Sequence, residues 1–273
     1  MLGKYCIHNG KVILTDKAKI SIDDIEFTYG FGVYENLKVR NSRVYFLIEH
    51  VERLFFSAEK IGLKHNFKPD ETEEWILLLT KKNKIESANI KVLLIGGNEP
   101  NLYIQNLAPK FLDRKYYKQG VKVVTYNYER FLPQAKTLNM LPSYLIYRKA
   151  VEAHAHDTLL VDKKGYITEG TRANFFTIKG NILYSAPVDK VLDGVTRRTV
   201  IDCALKNGYK LAEQDISLDK VLKYDGAFLT HTSGKIVPIK QIDDKSFPEI
   251  CGGLKNLISL YNNYLDKLYG KNI

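Results

Sequence analysis

The 273-residue chain has only three cysteines, Cys6, Cys203 and Cys251, far apart and odd in number. No CxxC pair and no histidine cluster accompanies them. That argues against a disulfide framework and against a structural zinc site, and no other metal site is expected. Buried free thiols are the expectation. Long apolar runs are also missing, and none approaches the roughly 20 residues that span a bilayer. The opening stretch, MLGKYCIHNGKVILTD, lacks the apolar core and the small-residue cleavage pattern of a secretory signal. A soluble, cytoplasmic protein with no membrane partner is expected. The common nucleotide-binding loops are absent as well. Gly30-Phe31-Gly32 leads into a strand and lacks a third glycine, Gly96-Gly97 is too short, and no GxxxxGK[ST] occurs.

What is present is ordinary globular material, 45% hydrophobic and 26% charged, enough for one or two cores. Lys plus Arg number 41 against 31 Asp plus Glu, a formal charge of +10. A basic nucleic-acid-binding protein is one reading of that excess. The lysines are scattered rather than gathered on one segment, which favours a solvated basic face and no nucleic-acid partner. A positive field also attracts small anions such as phosphates and carboxylates.

Periodicity divides the chain into two halves. Asn9-Gly10 between two short apolar runs predicts a hairpin. Val33 to Arg40 alternates as a strand, with Val33, Glu35, Leu37 and Val39 on one side. A helix follows from Ile48 to Ile61, with His50 and Arg53 off its apolar stripe, and a second covers Asp70 to Asn83. Strands are expected at 89–97 and 102–107. The charged, tyrosine-rich stretch from Lys110 to Gln119 has no clear period. Domains are therefore expected at 1–116 and 133–273, with 117–132 as connecting loop and first strand of the second half. That half holds a strand at 121–126, a helix at 142–154, a meander through 184 and a helix from Thr196 to Lys206. A short helix at 218–224 capped by Ser217, further strands at 227–230 and 236–239, and a C-terminal helix at 253–268 complete it. The fold class is α+β, or mixed α/β, in two halves.

Two turns are suited to an anion. Leu192-Asp193-Gly194-Val195-Thr196-Arg197 leads a glycine into a helix, whose first N–H groups and positive dipole end suit a phosphate. On these residues alone an ordinary threonine N-cap is the preferred reading. Thr230-His231-Thr232-Ser233-Gly234 is a second hydroxyl-and-glycine turn after an apolar strand. Lys136, in QAKTLN, reads alone as a solvated lysine, and Glu169, in ITEGTRANFF, as part of a turn.

Taken in order, Arg53 in HVERL, Lys136 in KTLN, Glu169 in ITEGTRANFF, Thr196 in LDGVTR and Thr232 in LTHTSGKIVPI resemble the fold-type IV, or class IV, pyridoxal-phosphate aminotransferases. That family includes branched-chain and D-amino-acid aminotransferases and aminodeoxychorismate lyase. The resemblance runs over nearly the whole chain. It implies a two-domain fold with pyridoxal 5′-phosphate in the interdomain cleft, and a homodimer. It also implies transfer of an amino group between an amino acid and a 2-oxo acid. Lys136 would bond the cofactor and carry the proton, and Glu169 would pair with the ring nitrogen. Arg53, Val195, Thr196 and Thr232 would hold the phosphate, and Leu192 would pack on the ring. Tyr34 and Ser233 would lie near the substrate.

The family's carboxylate-binding patterns are not intact. The loop GGNEPNLYIQN carries no Arg-x-His, and the preceding strand has Asn89 and Lys91 where branched-chain enzymes have a tyrosine and an arginine. Arg172 in EGTRAN is the cation expected to take the substrate carboxylate, with Arg130 and Lys91 as alternatives. Tyr34-Glu35-Asn36 resembles the transaminases more than the lyases, so the aminotransferase is preferred and the lyase is the alternative.

Overall fold

In a computed structural model, residues 2–109 and 111–270 are described. Lys110, where the expected boundary stretch begins, lies outside them. The chain forms two compact units. The first holds the residues up to 109 together with Ala135–Met140. The second holds Phe111–Gln134 and the residues from Leu141 onward. The short segment that carries Lys136 therefore belongs by its contacts to the first unit.

The first unit is built on β1 (Tyr5–His8), β2 (Lys11–Leu14), α1 (Ile25–Thr28), β3 (Gly32–Arg40), β4 (Arg43–Val44), α2 (Leu47–Lys60), α3 (Pro69–Lys82), β5 (Ala88–Ile95) and β6 (Asn101–Leu107). Its six strands are ordered β2-β1-β6-β5-β3-β4. The pleat gives the sheet two unlike faces. Val33, Leu37 and Val39 of β3, Ile90, Val92 and Leu94 of β5, and Leu102 and Ile104 of β6 are fully or nearly fully buried. They form one core with Val51, Leu54 and Ala58 of α2 and Ile76 and Leu79 of α3. Tyr34 and Asn36 alternate with these residues and stand on the other face. In register, Tyr34 opposes Leu93 and Asn36 opposes Lys91. α3 opens with Pro69, Asp70 and Glu71 and closes with Lys81 and Lys82, charges that complement its dipole.

The second unit comprises α4 (Arg114–Gln119), β7 (Val121–Asn127), α5 (Leu141–Glu152), β8 (Asp157–Val161), β9 (Tyr166–Gly170), β10 (Asn174–Lys179), β11 (Ile182–Ser185), α6 (Val195–Lys206), β12 (Lys210–Glu213), β13 (Ile216–Ser217), β14 (Gly226–His231), β15 (Lys235–Ile242), β16 (Lys245–Ser246) and α7 (Gly252–Tyr269). Its sheet runs β12-β11-β10-β14-β15-β7-β8-β9-β13, and β10 also pairs with β9. Six strands thus close on themselves, which removes their free edges. The closing bridge joins Asn174 to Glu169.

Most expected elements are present within a residue or two. The aperiodic stretch after Lys110 is not structureless, because Asp113 caps the short helix α4 by accepting from Lys115 N. The expected helix at 218–224 is only a 3-10 turn over Val221–Lys223. Ser217 caps nothing there, because it pairs with Tyr166 in β13. Cys6 and Cys203 are buried and Cys251 half-buried, all as free thiols. Among the described residues no helix is long and apolar enough to cross a membrane, and no group of three or more His, Cys, Asp or Glu could hold a metal.

The two faces of β3 give a direct check. Leu37→Ala is expected to lower unfolding stability by about 2–5 kcal/mol, the usual loss for a filled core site. Asn36→Ala, one residue away on the other face, is expected to cost about 1 kcal/mol or less. Urea unfolding of both variants measures the difference.

Candidate active site

The lysine segment is held onto β3 by main-chain bonds. Tyr34 N donates to Lys136 O at 3.0 Å and Leu138 N donates to Gly32 O at 2.8 Å. Val33 bridges Thr137 in antiparallel register. The Lys136 amide donates to Ser57 Oγ of α2 at 3.2 Å. Gly32 has no room for a side chain, since a Cβ there would lie 2.7 Å from both Leu94 O and Leu138 Cδ1. With its backbone pinned in this way, half-buried Lys136 places Nζ 4.7 Å from the centre of the Tyr34 ring. Lys91 Nζ lies 5.7 Å from the same ring centre. The Tyr34 hydroxyl donates to Met140 Sδ at 3.3 Å.

On the helix-covered side of the same strand sits a buried charge group. Arg53 Nε donates to Glu35 Oε1 at 2.6 Å and Arg53 Nη2 donates to Glu35 Oε2 at 2.8 Å, a forked pair. His50 Nδ1 lies 2.7 Å from Glu35 Oε2. Burial alone would raise the Glu35 carboxyl, but Arg53 and His50 outweigh it and hold Glu35 well below the usual carboxylate range. Burial pushes the His50 imidazole down, only partly offset by Glu35, so a neutral ring donating Nδ1–H is the form that fits. Arg53, expected at a phosphate, thus has two guanidinium nitrogens engaged by Glu35. The partner was visible as a glutamate alternating with Val33, Leu37 and Val39. His50 and Arg53, three apart and off the helix stripe, were the matching signal.

In the second unit Glu169 stands at the closing bridge and is 3% exposed. Arg130 Nε donates to its Oε1 at 2.7 Å. Leu192 N donates to Oε2 at 3.2 Å, and Asn174 Nδ2 points to the same oxygen at 3.4 Å. Asn174 also donates to Leu192 O at 2.7 Å, and it opposes Thr230 of β14. The register therefore sets Glu169, Asn174 and Thr230 side by side on β9, β10 and β14. Asn174 further ties in the loop that opens α6. Gly194 is the N-cap of α6, without a capping side chain, and Val195 and Thr196 are its first residues. A Cβ on Gly194 would fall 2.2 Å from Asn174 Oδ1, so the loop's close approach requires glycine. Thr230 Oγ1 is buried with no hydrogen-bond partner among the described residues. After β14, Gly234 N donates to His231 O at 3.2 Å and to His231 Nδ1 at 3.0 Å, closing the turn that carries Thr232 and Ser233.

The three candidate carboxylate-binding cations differ in their surroundings. Arg130 is bonded to Glu169. Arg172 is exposed, with its guanidinium carbon 3.5 Å from the Tyr147 ring centre. Lys91 is half-buried, shares the Tyr34 ring with Lys136, and bonds to no carboxylate among the described residues.

The profile of the family described as amino-transferase class IV matches residues 32–242 of this chain. The chain belongs to that family. A D-alanine aminotransferase from Bacillus licheniformis is 29% identical, with 88% of this chain and 89% of the relative covered. Among solved structures, a branched-chain amino acid aminotransferase of T.th., crystallised with pyridoxamine 5′-phosphate, is 25% identical with a TM-score of 0.89. That match covers 99% of this chain and 95% of the other. A protein described as a 4-amino-4-deoxychorismate lyase, from Legionella pneumophila, is 26% identical with a TM-score of 0.83, over 91% of this chain and 96% of that one.

The Glu35 group makes a pH prediction with a definite sign. A carboxyl depressed in the folded state stabilises the fold above its unfolded value and loses that stabilisation on acidification. A buried neutral His50 acts in the same direction, because the unfolded chain takes up a proton first below about pH 6.5. Stability should therefore fall in two stages, from about pH 6.5 and again below about pH 4.5. Glu35→Gln should cost about 3–5 kcal/mol at neutral pH by removing the buried carboxylate that Arg53 and His50 bond, and should flatten the lower stage. Urea midpoints measured against pH read both effects.

Proposed function

We propose that this chain is a pyridoxal-phosphate-dependent aminotransferase that moves an amino group between an amino acid and a 2-oxo acid. The observation that carries this is the placement of Lys136, an amine pinned by main-chain bonds and set against Tyr34 in a member of the class IV family. The donor set fits the cofactor. An uncapped helix start at Val195 and Thr196, a hydroxyl turn at Thr232 and Ser233, and the unbonded Thr230 hydroxyl suit a phosphate. The family relative with pyridoxamine 5′-phosphate supports the same reading.

In this account Arg53, Val195, Thr196 and Thr232 hold the phosphate. Leu192, half-buried and bonded through its amide to Glu169, packs on the ring. Glu169 accepts from the ring nitrogen. When bound, the cofactor supplies a carbonyl carbon for the amine and a ring that draws off the electron pair left at the substrate Cα. Lys136 Nζ is the group that takes the proton from that carbon and returns it, and the Tyr34 face limits where its ammonium rests. Lys91 replaces Arg172 as the group proposed for the substrate carboxylate, because it is the cation beside the same tyrosine as Lys136. A homodimer belongs to the same proposal, supported by the exposed Leu141, Tyr144 and Leu145 on α5, and so does a cytoplasmic location. D-alanine-like and branched-chain donors are both drawn from the relatives. The lyase is the second reading, supported by the Legionella relative.

Two measurements decide these points. Incubated with a panel of L- and D-amino acids, the protein should form 2-oxo acid beyond one equivalent per site only when an added 2-oxo acid is present. Pyruvate released from aminodeoxychorismate without any acceptor would favour the lyase. Lys136→Ala should abolish the transfer. Lys91→Met should raise KM for the amino donor about tenfold while kcat changes less. An unchanged KM there, with a raised KM in Arg172→Ala, would return the carboxylate to Arg172.

A further inference from the structure

Glu169 lies almost wholly inside the second unit, yet among the described residues its carboxylate is bonded by a single cation, and that cation is itself held by further bonds. Arg130 Nη1 donates to Ser143 Oγ of α5 at 2.6 Å. Arg130 Nη2 reaches Thr171 O at 3.2 Å and Gly170 O at 3.4 Å. Its guanidinium thus spans from α5 to the turn just past Glu169. A planar fork with both ends engaged cannot swing with its partner. The carboxylate is oriented from the other side by Leu192 N and Asn174 Nδ2 on Oε2. A carboxylate offers about four acceptor positions. Donors among the described residues use three, and the one left is on Oε1, beside Arg130.

We infer that Arg130 is a positioning residue for Glu169. It fixes which acceptor position Glu169 offers to a ring nitrogen, and its charge tempers how strongly that carboxylate favours a cationic ring. This rests on the reading of the protein as a pyridoxal-phosphate enzyme. Sequence order gave Arg130 only as an alternative substrate cation. The fold gives it a different partner, because the loop after β7 brings Arg130 to Glu169 at the bridge between β9 and β10. A guanidinium spent on Glu169, Ser143 and two carbonyls is not the carboxylate trap of the substrate.

The test is a double-mutant cycle on cofactor binding, with Arg130→Met, Glu169→Gln and the pair, using pyridoxal 5′-phosphate itself as the probe. Two quantities are read for each protein. One is the dissociation constant, from visible absorbance. The other is the pH midpoint at which the bound cofactor's visible band changes. Arg130→Met is expected to weaken binding about tenfold, the size of one lost charged hydrogen bond. It should also move the midpoint up by about one pH unit, because Glu169, released from its cation, favours the protonated cofactor more strongly. In the Glu169→Gln background the same substitution should change neither quantity by more than about twofold or 0.2 unit. Arg130→Lys, which keeps the charge but not the fork, should leave the midpoint near the parent value while binding still weakens. It also serves if the methionine variant does not fold. Losses that are the same in both backgrounds, or a midpoint that stays fixed in Arg130→Met, would overturn the inference. A parent protein that binds no pyridoxal phosphate would instead overturn the functional reading beneath it.

Discussion

The main-chain pairing of Lys136–Leu138 with Gly32–Tyr34 is the constraint on which the candidate site depends. A lysine stem has four rotatable bonds, and in solution its ammonium samples a wide volume. Here the backbone beneath it is fixed by a bridge made of two hydrogen bonds to β3, and by a third bond to Ser57. What remains free is the stem alone, and its end rests against an aromatic face. The glycine at position 32 is part of the same constraint, because any side chain there would strike the lysine strand and β5 together. β3 thus does two jobs with alternate residues. Glu35 faces the helices and anchors Arg53, while Tyr34 faces the other way and receives the lysine.

Both units solve the same electrostatic problem in the same way. Each buries a glutamate, Glu35 in one and Glu169 in the other, and each meets it with an arginine at hydrogen-bond distance, Arg53 and Arg130. An isolated buried carboxylate costs several kcal/mol. A guanidinium at hydrogen-bond distance offsets that cost and fixes direction as well as charge. The consequence for chemistry is preorganisation. The groups that would meet an anion or a ring nitrogen are set before any ligand arrives, so little reorganisation is needed on binding.

Much of this was legible in the residues. The alternation of Val33, Glu35, Leu37 and Val39 gave the strand and its inward face, and the stripe from Ile48 to Ile61 gave the helix against it. The order of Arg53, Lys136, Glu169, Thr196 and Thr232 gave the family. What the residues could not give was long-range partnership. Nothing local says that 136–138 leaves its neighbours and pairs with Gly32–Tyr34, about a hundred residues earlier, because such pairing is decided by which strand edge is free. Arg130 and Glu169 both stand out in the sequence, but their contact depends on how β9 returns to β10 to close the sheet. The short helix Arg114–Gln119 was missed because its six residues carry too little apolar periodicity to show. The expected helix after Ser217 failed for the opposite reason, as pairing with β9 took the capping residue.

The central claim is that one lysine among the many in this basic chain bonds the cofactor. Borohydride reduction of the protein loaded with pyridoxal 5′-phosphate, followed by proteolysis and mass spectrometry, addresses it directly. The account predicts that the phosphopyridoxyl mass appears on the peptide containing Lys136 and at that residue. The same mass on another lysine with Lys136 unmodified, or no stoichiometric label at all, would contradict it.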